Sequence, residues 1–234
     1  MDQQQIAARG NAQWLFPSMV WWGVMGLALS ACTATPPPKV IYEDRTLSIR
    51  LMADNRSTDG HSHPALLSAD QLTRVLGGIR LESDSSEPIG SANRTDPVLA
   101  FSAEEIRILG PVLLKALGSA SPDQIVTFYR VQGGETSHRV VTSGGLFVQD
   151  GTLCLVLANY RMKTDAAPRE ETVAGFMDVR DHPLIPVVRG GYRVGFEPSE
   201  AWVPPAQRRK TWNYPDERKL VMIDLNRLGG KTAP

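Results

Sequence analysis

Two histidines alternate at His61-Ser62-His63, with Asp54 and Asp59 a few residues upstream. On a strand, alternate side chains share a face, so this spacing offers two imidazoles and a carboxylate to a cation such as zinc. The setting argues the other way. Ser, Asp and Gly surround the pair, Pro64 follows at once, and no His-x-x-x-His frame or Cys completes a ligand set. The expectation is a solvated loop leading into a helix, with no metal and no cofactor; His138 and His182 stand alone.

Other reactive residue types lack a frame. Cys154 lies in the apolar run Leu153-Cys154-Leu155-Val156-Leu157, where a thiol behaves as a small core hydrophobe. Ser143-Gly144-Gly145 lacks the Gly-x-Ser-x-Gly pattern of a nucleophile elbow. Gly133-Gly134 and Gly190-Gly191 lack the Lys-Ser/Thr of a phosphate loop. The acids Glu43-Asp44, Glu104-Glu105 and Glu170-Glu171 are adjacent in sequence and so do not face each other as an acid/base pair would. No catalytic residue is assigned.

One basic-aromatic cluster remains, with Arg208 and Arg209 just before Trp212 and Tyr214. Such residues can stack on sugars or contact anionic phosphates, and these four are the candidate ligand-binding residues. The competing reading is a loop whose aromatics pack on the domain.

The elements that would position these residues form an α+β pattern. Residues 40–52 read as a first strand, with period-two alternation from Leu47 to Leu51. Ser68-Ala69-Asp70-Gln71 and Ser102-Ala103-Glu104-Glu105 both fit a capping box, with staples Leu67/Leu72 and Phe101/Ile106. The first helix ends near Gly77-Gly78 and the second at Gly118, with Pro111 predicting a kink or break. Strands follow at 124–132, 139–142, 145–149 and 152–162, divided by Gly133-Gly134, Gly144-Gly145 and the hairpin signal Asp150-Gly151. Residues 168–173 suggest a helical turn, and 191–196 and 219–225 short strands, within a loop-rich C-terminal region ordered by Trp202, Trp212 and Tyr214. The expected fold is an antiparallel sheet (meander) with two amphipathic helices packed on one face, in a single domain over 40–228 with a frayed tail at 229–234.

Composition narrows the setting. Lys plus Arg and Asp plus Glu number 25 each, so no net field favours nucleic acid. With 42% hydrophobic and 21% charged residues the chain can build a core, and two cysteines are too few for a disulfide framework.

The N-terminal residues are more specific. Residues 14–31 are apolar or small with no charge, and end at Leu29-Ser30-Ala31-Cys32, after which Thr33-Ala34-Thr35-Pro36-Pro37-Pro38 follows. An apolar stretch closing on small residues is the layout of a signal peptide. The last four residues resemble the lipobox of bacterial lipoproteins. That resemblance covers the export segment alone. It implies cleavage between Ala31 and Cys32, acylation of Cys32, and a bilayer as the partner of the lipidated cysteine. Residues 1–31 are then the signal peptide and 32–39 the lipidated tether. Thr at position 33, where Asp marks inner-membrane retention in that family, implies the outer membrane, facing the periplasm. An uncleaved anchor helix and an ordinary secretory signal remain alternatives.

The expected role is a non-catalytic binding or assembly component of the envelope, with a protein or peptidoglycan partner and no nucleic acid. The alternatives are a periplasmic enzyme acting on peptidoglycan or glycan, and a small-ligand-binding module.

Overall fold

Apolar side chains alternate strictly along the central strands, and each alternate set belongs to a different core. In the computed structural model, which describes residues 36–83, 97–133, 139–164, 178–187, 191–208 and 212–228, Leu153, Leu155 and Leu157 enter one hydrophobic cluster, and Cys154, Val156 and Ala158 enter another. Val126 and Phe128 oppose Ile125 in the same way, as Leu146 and Val148 oppose Phe147. Because successive residues of a strand point to opposite faces, the sheet is covered on both sides. All the described residues fall within one compact unit, 35–234.

The main sheet is antiparallel throughout. It contains β1 (Lys39–Glu43), β2 (Leu47–Ala53), β5 (Gln124–Gln132), β6 (Arg139–Gln149), β7 (Thr152–Thr164) and β9 (Leu220–Asp224), in the order β1-β2-β5-β6-β7-β9. The first face is covered by α1 (Ala69–Gly78) and α2 (Ala103–Leu117), which contribute Leu72, Val75, Leu76, Leu109, Leu113 and Leu117. Three further strands, β3 (Ile79–Ser83), β4 (Val98–Leu99) and β8 (Tyr192–Phe196), form a small sheet in the order β4-β3-β8 that feeds the same core. The expected α+β fold, with an antiparallel meander and two helices packed beside it, is present.

Both capping boxes form. Ser68 Oγ accepts from the Gln71 N–H at 3.1 Å while Gln71 Oε1 accepts from the Ser68 N–H at 2.9 Å. The second box pairs Ser102 with Glu105 in the same manner, at 3.2 and 2.7 Å. Glu105 is buried and has a second task, accepting from Arg130 Nη1 on β5.

Three local expectations are corrected. Residues 40–52 make a hairpin of two strands, not one strand, because Asp44 Oδ1 accepts from the backbone N–H of Thr46 and Leu47 and turns the chain. Pro111 does not break α2, which runs on through it; the carbonyl left without its N–H partner belongs to Arg107, which is exposed and can be hydrated. Gly144-Gly145 is no turn but the middle of an 11-residue strand. A Cβ on Gly144 would lie 2.0 Å from Val156 O, so glycine is there for close approach of β7. The strand expected at 191–196 is present as β8, paired with β3 in a small sheet that also holds β4. Asp150-Gly151 does form the expected hairpin turn, with φ of 48° and 74°. The helical turn expected at 168–173 lies outside the described residues.

Candidate functional site

The histidine pair is not solvated. His61 and His63 are 5% and 6% exposed, and the reason lies in how their loop is stitched down. The chain leaves β2 at Asp54, whose N–H donates to Asp123 O at 2.8 Å. It then returns through Gly60 in a left-handed conformation, φ +74°. His61 N–H donates to Pro122 O and Ser62 N–H to Val148 O, each at 2.7 Å, and Ser62 Oγ accepts from Asp150 N–H at 3.0 Å. The loop is thus tied at Asp54, His61 and Ser62 to the start of β5, the end of β6 and the turn that follows it.

Inside this loop sits a buried polar cluster. Asp54 Oδ2 accepts from His61 Nε2 at 2.9 Å and from Trp212 Nε1 at 2.5 Å, and Oδ1 accepts from Arg56 N–H at 3.1 Å. Burial opposes ionisation of Asp54, but the bonds from His61, Arg56 and Trp212 hold its carboxyl below the usual carboxylate range. The ring of His61 lies on Phe147 with centroids 4.1 Å apart, and Phe147 meets Trp212 at 5.0 Å. His63 meets His61 edge-on at 5.8 Å, with neither of its ring nitrogens hydrogen-bonded. Burial and the adjacent His61 lower the pKa of His63 to about 4, so it is neutral at physiological pH.

An Asp–His pair invites an acid/base reading, but this one is sealed. The His61 and Asp54 side chains are 0% and 3% exposed. Among the described residues no group of three or more His, Cys, Asp and Glu side chains is placed to hold a metal ion. The cluster is a polar clamp that ties residues 54–63 to the segment around Trp212, which also pairs with Ser57 through an isolated β-bridge.

The basic-aromatic residues divide. Trp212 and Tyr214 are 5% and 3% exposed and stack on each other, 5.6 Å apart and 3° from parallel, within the second core. They form no open stacking platform; the packing reading is the one realised. Arg208 spends its guanidinium on the carbonyls of Val203, Glu217 and Leu220. Arg209 lies outside the described residues, as do Ala31 and Cys32. The thiol of Cys154 is buried and pushed up to about 12 by that burial, so it carries no thiolate at neutral pH.

Beside the clamp lies a cavity of about 230 Å³, walled by residues 52–56 at the end of β2, by Ile125 and by residues 182–185. The second wall is pinned to the sheet by polar side chains that interrupt apolar strands. Ser143 Oγ donates to Pro183 O at 2.8 Å, and Asn159 Nδ2 to Ile185 O at 2.9 Å, while Asn159 Oδ1 accepts from Val187 N–H. Tyr214 OH donates to Leu184 O at 2.9 Å. The first wall presents Arg56, whose guanidinium lies 5.8 and 5.9 Å from the ring centroids of Trp212 and Tyr214. Sequence reasoning missed Arg56 and Asn159. A fully buried Asn within the alternation of β7 was the available signal, since buried polar groups need partners.

No protein-family model, no curated protein and no solved structure matches the chain.

Proposed function

We propose that the chain is a lipid-anchored component of the bacterial cell envelope, held on the outer membrane through Cys32 and acting as a non-catalytic binding or assembly module toward the periplasm. The observation that carries this is the uncharged apolar run of residues 14–31 closing on Leu29-Ser30-Ala31-Cys32, followed at once by a Pro-rich stretch. A stalk of that composition extends about 3.1 Å per residue, and residues 36–40 are exposed as they lead into β1, an edge strand of the main sheet. Among the described residues no helix is long and apolar enough to cross a membrane. Each buried acyl methylene contributes about 0.8 kcal/mol, and two or more chains anchor stably.

The binding rather than catalytic role is supported by the sealed Asp54–His61 pair and by the protonated Cys154. Within binding roles, the cavity beside Arg56 favours a small ligand. The test is labelling of cells producing the wild type or Cys32→Ala with a fatty-acid analogue. The wild type is expected to carry the label, and the variant to carry none. A wild type without label would contradict lipid anchoring.

A further inference from the structure

We infer that the cavity at the end of β2 binds a small organic carboxylate with an apolar body, whose charge is taken by Arg56. Nη1 of Arg56 is buried and makes no hydrogen bond, and leaving a buried charged donor unpaired is costly. Arg50 and Arg180 each carry a buried unbonded Nε as well, but their guanidinium groups also reach carboxylates, Arg50 at Glu43 and Asp181 and Arg180 at Glu43, and Arg208 has three backbone carbonyls. The carboxylate nearest to Arg56 in sequence is Asp54, and its oxygens are turned to His61, Trp212 and the Arg56 backbone N–H.

Arg56 is also held in place. Its guanidinium sits against the stacked Trp212–Tyr214 pair, a cation–π arrangement. Trp212 is fixed by Asp54, and Tyr214 by the carbonyl of Leu184 across the cavity. The polar clamp therefore has a purpose beyond stability, because it preorganises a cation at the wall of a cavity. A planar guanidinium fork matches the two oxygens of a carboxylate. The lining also includes Met52, Ile125, Leu184 and Ile185, which suit an apolar body, beside the polar Asn55 and His182 and the backbone-and-ring-bonded Asp54. A volume of about 230 Å³ lies below the range for drug-sized ligands, so the occupant is a fragment-sized acid and not a peptide or a whole lipid.

The assignment rests on reading the domain as a binding module and is independent of the anchor, because no residue before Met52 lines the cavity. The test is calorimetric titration of the full chain, in detergent, with benzoate and with benzyl alcohol, which has the same ring and no charge. Benzoate is expected to bind saturably at one site per chain. Benzyl alcohol, and benzoate on Arg56→Gln, should bind about tenfold more weakly or worse, equivalent to about 1.4 kcal/mol or more. Ile185→Trp fills the cavity from a partly exposed position, leaves Arg56 in place and should also abolish binding; it serves if Arg56→Gln does not fold. No saturable heat at millimolar benzoate, equal binding of the alcohol, or undiminished binding to either folded variant overturns the inference. Acylation of Cys32 is a separate readout, so either proposal can fail alone.

Discussion

Trp212 donates its indole N–H to Asp54 Oδ2 at 2.5 Å across 158 residues of chain. That bond joins the C-terminal segment to the end of β2, and Asp54 passes the restraint on to His61. Trp212→Phe keeps an aromatic ring against Phe147 and Tyr214 but removes the donor from a buried carboxylate. The expected loss is about 1–3 kcal/mol in urea unfolding. Combined with Asp54→Asn, the two losses should be less than additive, since both remove the same bond.

Gly144 and Gly195 make an opposed pair. A Cβ at Gly144 would sit 2.0 Å from Val156 O and 2.9 Å from the Phe128 ring, whereas at Gly195 it would meet nothing within 4 Å. Gly144→Ala must push β7 away from β6, and a loss above about 4 kcal/mol or failure to fold is expected. Gly195→Ala should change the melting free energy by no more than about 0.5 kcal/mol. Thermal unfolding of both variants checks the contrast.

Acid should weaken the fold in two stages. His63 stays neutral in the folded protein down to about pH 4, while the unfolded imidazole protonates near 6.5. Between those values the unfolded chain holds the extra proton, so stability falls as pH drops, by up to about 3 kcal/mol from this residue. Asp54 acts lower: its stabilising contribution is present above its unfolded value of 3.8 and is lost as pH falls through the depressed folded value. His63→Phe, which places an apolar ring where neither imidazole nitrogen is bonded, should flatten the stability profile between pH 6.5 and 4. Urea midpoints across that range are the readout.

Glu105 couples a helix start to the sheet. Ser102→Ala removes only the cap and should cost about 1 kcal/mol. Glu105→Ala removes the reciprocal cap and also leaves the mostly buried Arg130 without its carboxylate, so its loss should be at least about twice as large. Chemical denaturation of the two single variants and of Arg130→Met with Glu105→Ala separates the two tasks. The double variant should recover part of the loss.

What could be read from the sequence was what depends on near neighbours. Ser68 with Gln71, Ser102 with Glu105, and Asp150 with Gly151 each act within four residues, and all three took the expected form. The period-two alternation of β7 also announced itself, although two separate cores were needed to explain both of its apolar sets. Gly144 looked like a turn although the strand that crowds it, β7, was legible across the Asp150-Gly151 hairpin; residue types alone do not carry how close Val156 O comes. The other failures involve partners far along the chain. His61 and His63 looked solvated because Trp212, Phe147 and Pro122 seal the loop from elsewhere. The pairing of β3 with β8 joins residues 79–83 to 192–196, and the sequence between them gives no hint of it. Arg56 gained its interest from what surrounds it, and nothing adjacent to it in sequence marks that.

The measurement that bears most directly on the proposed function is the intact mass of the mature protein from a producing bacterium, with the N-terminal peptide sequenced by fragmentation. The account predicts a chain beginning at Cys32, without residues 1–31, carrying diacylglycerol and an amide-linked acyl group on that cysteine. A mature chain that retains residues 1–31, or one that begins near Cys32 with no added acyl mass, would contradict it.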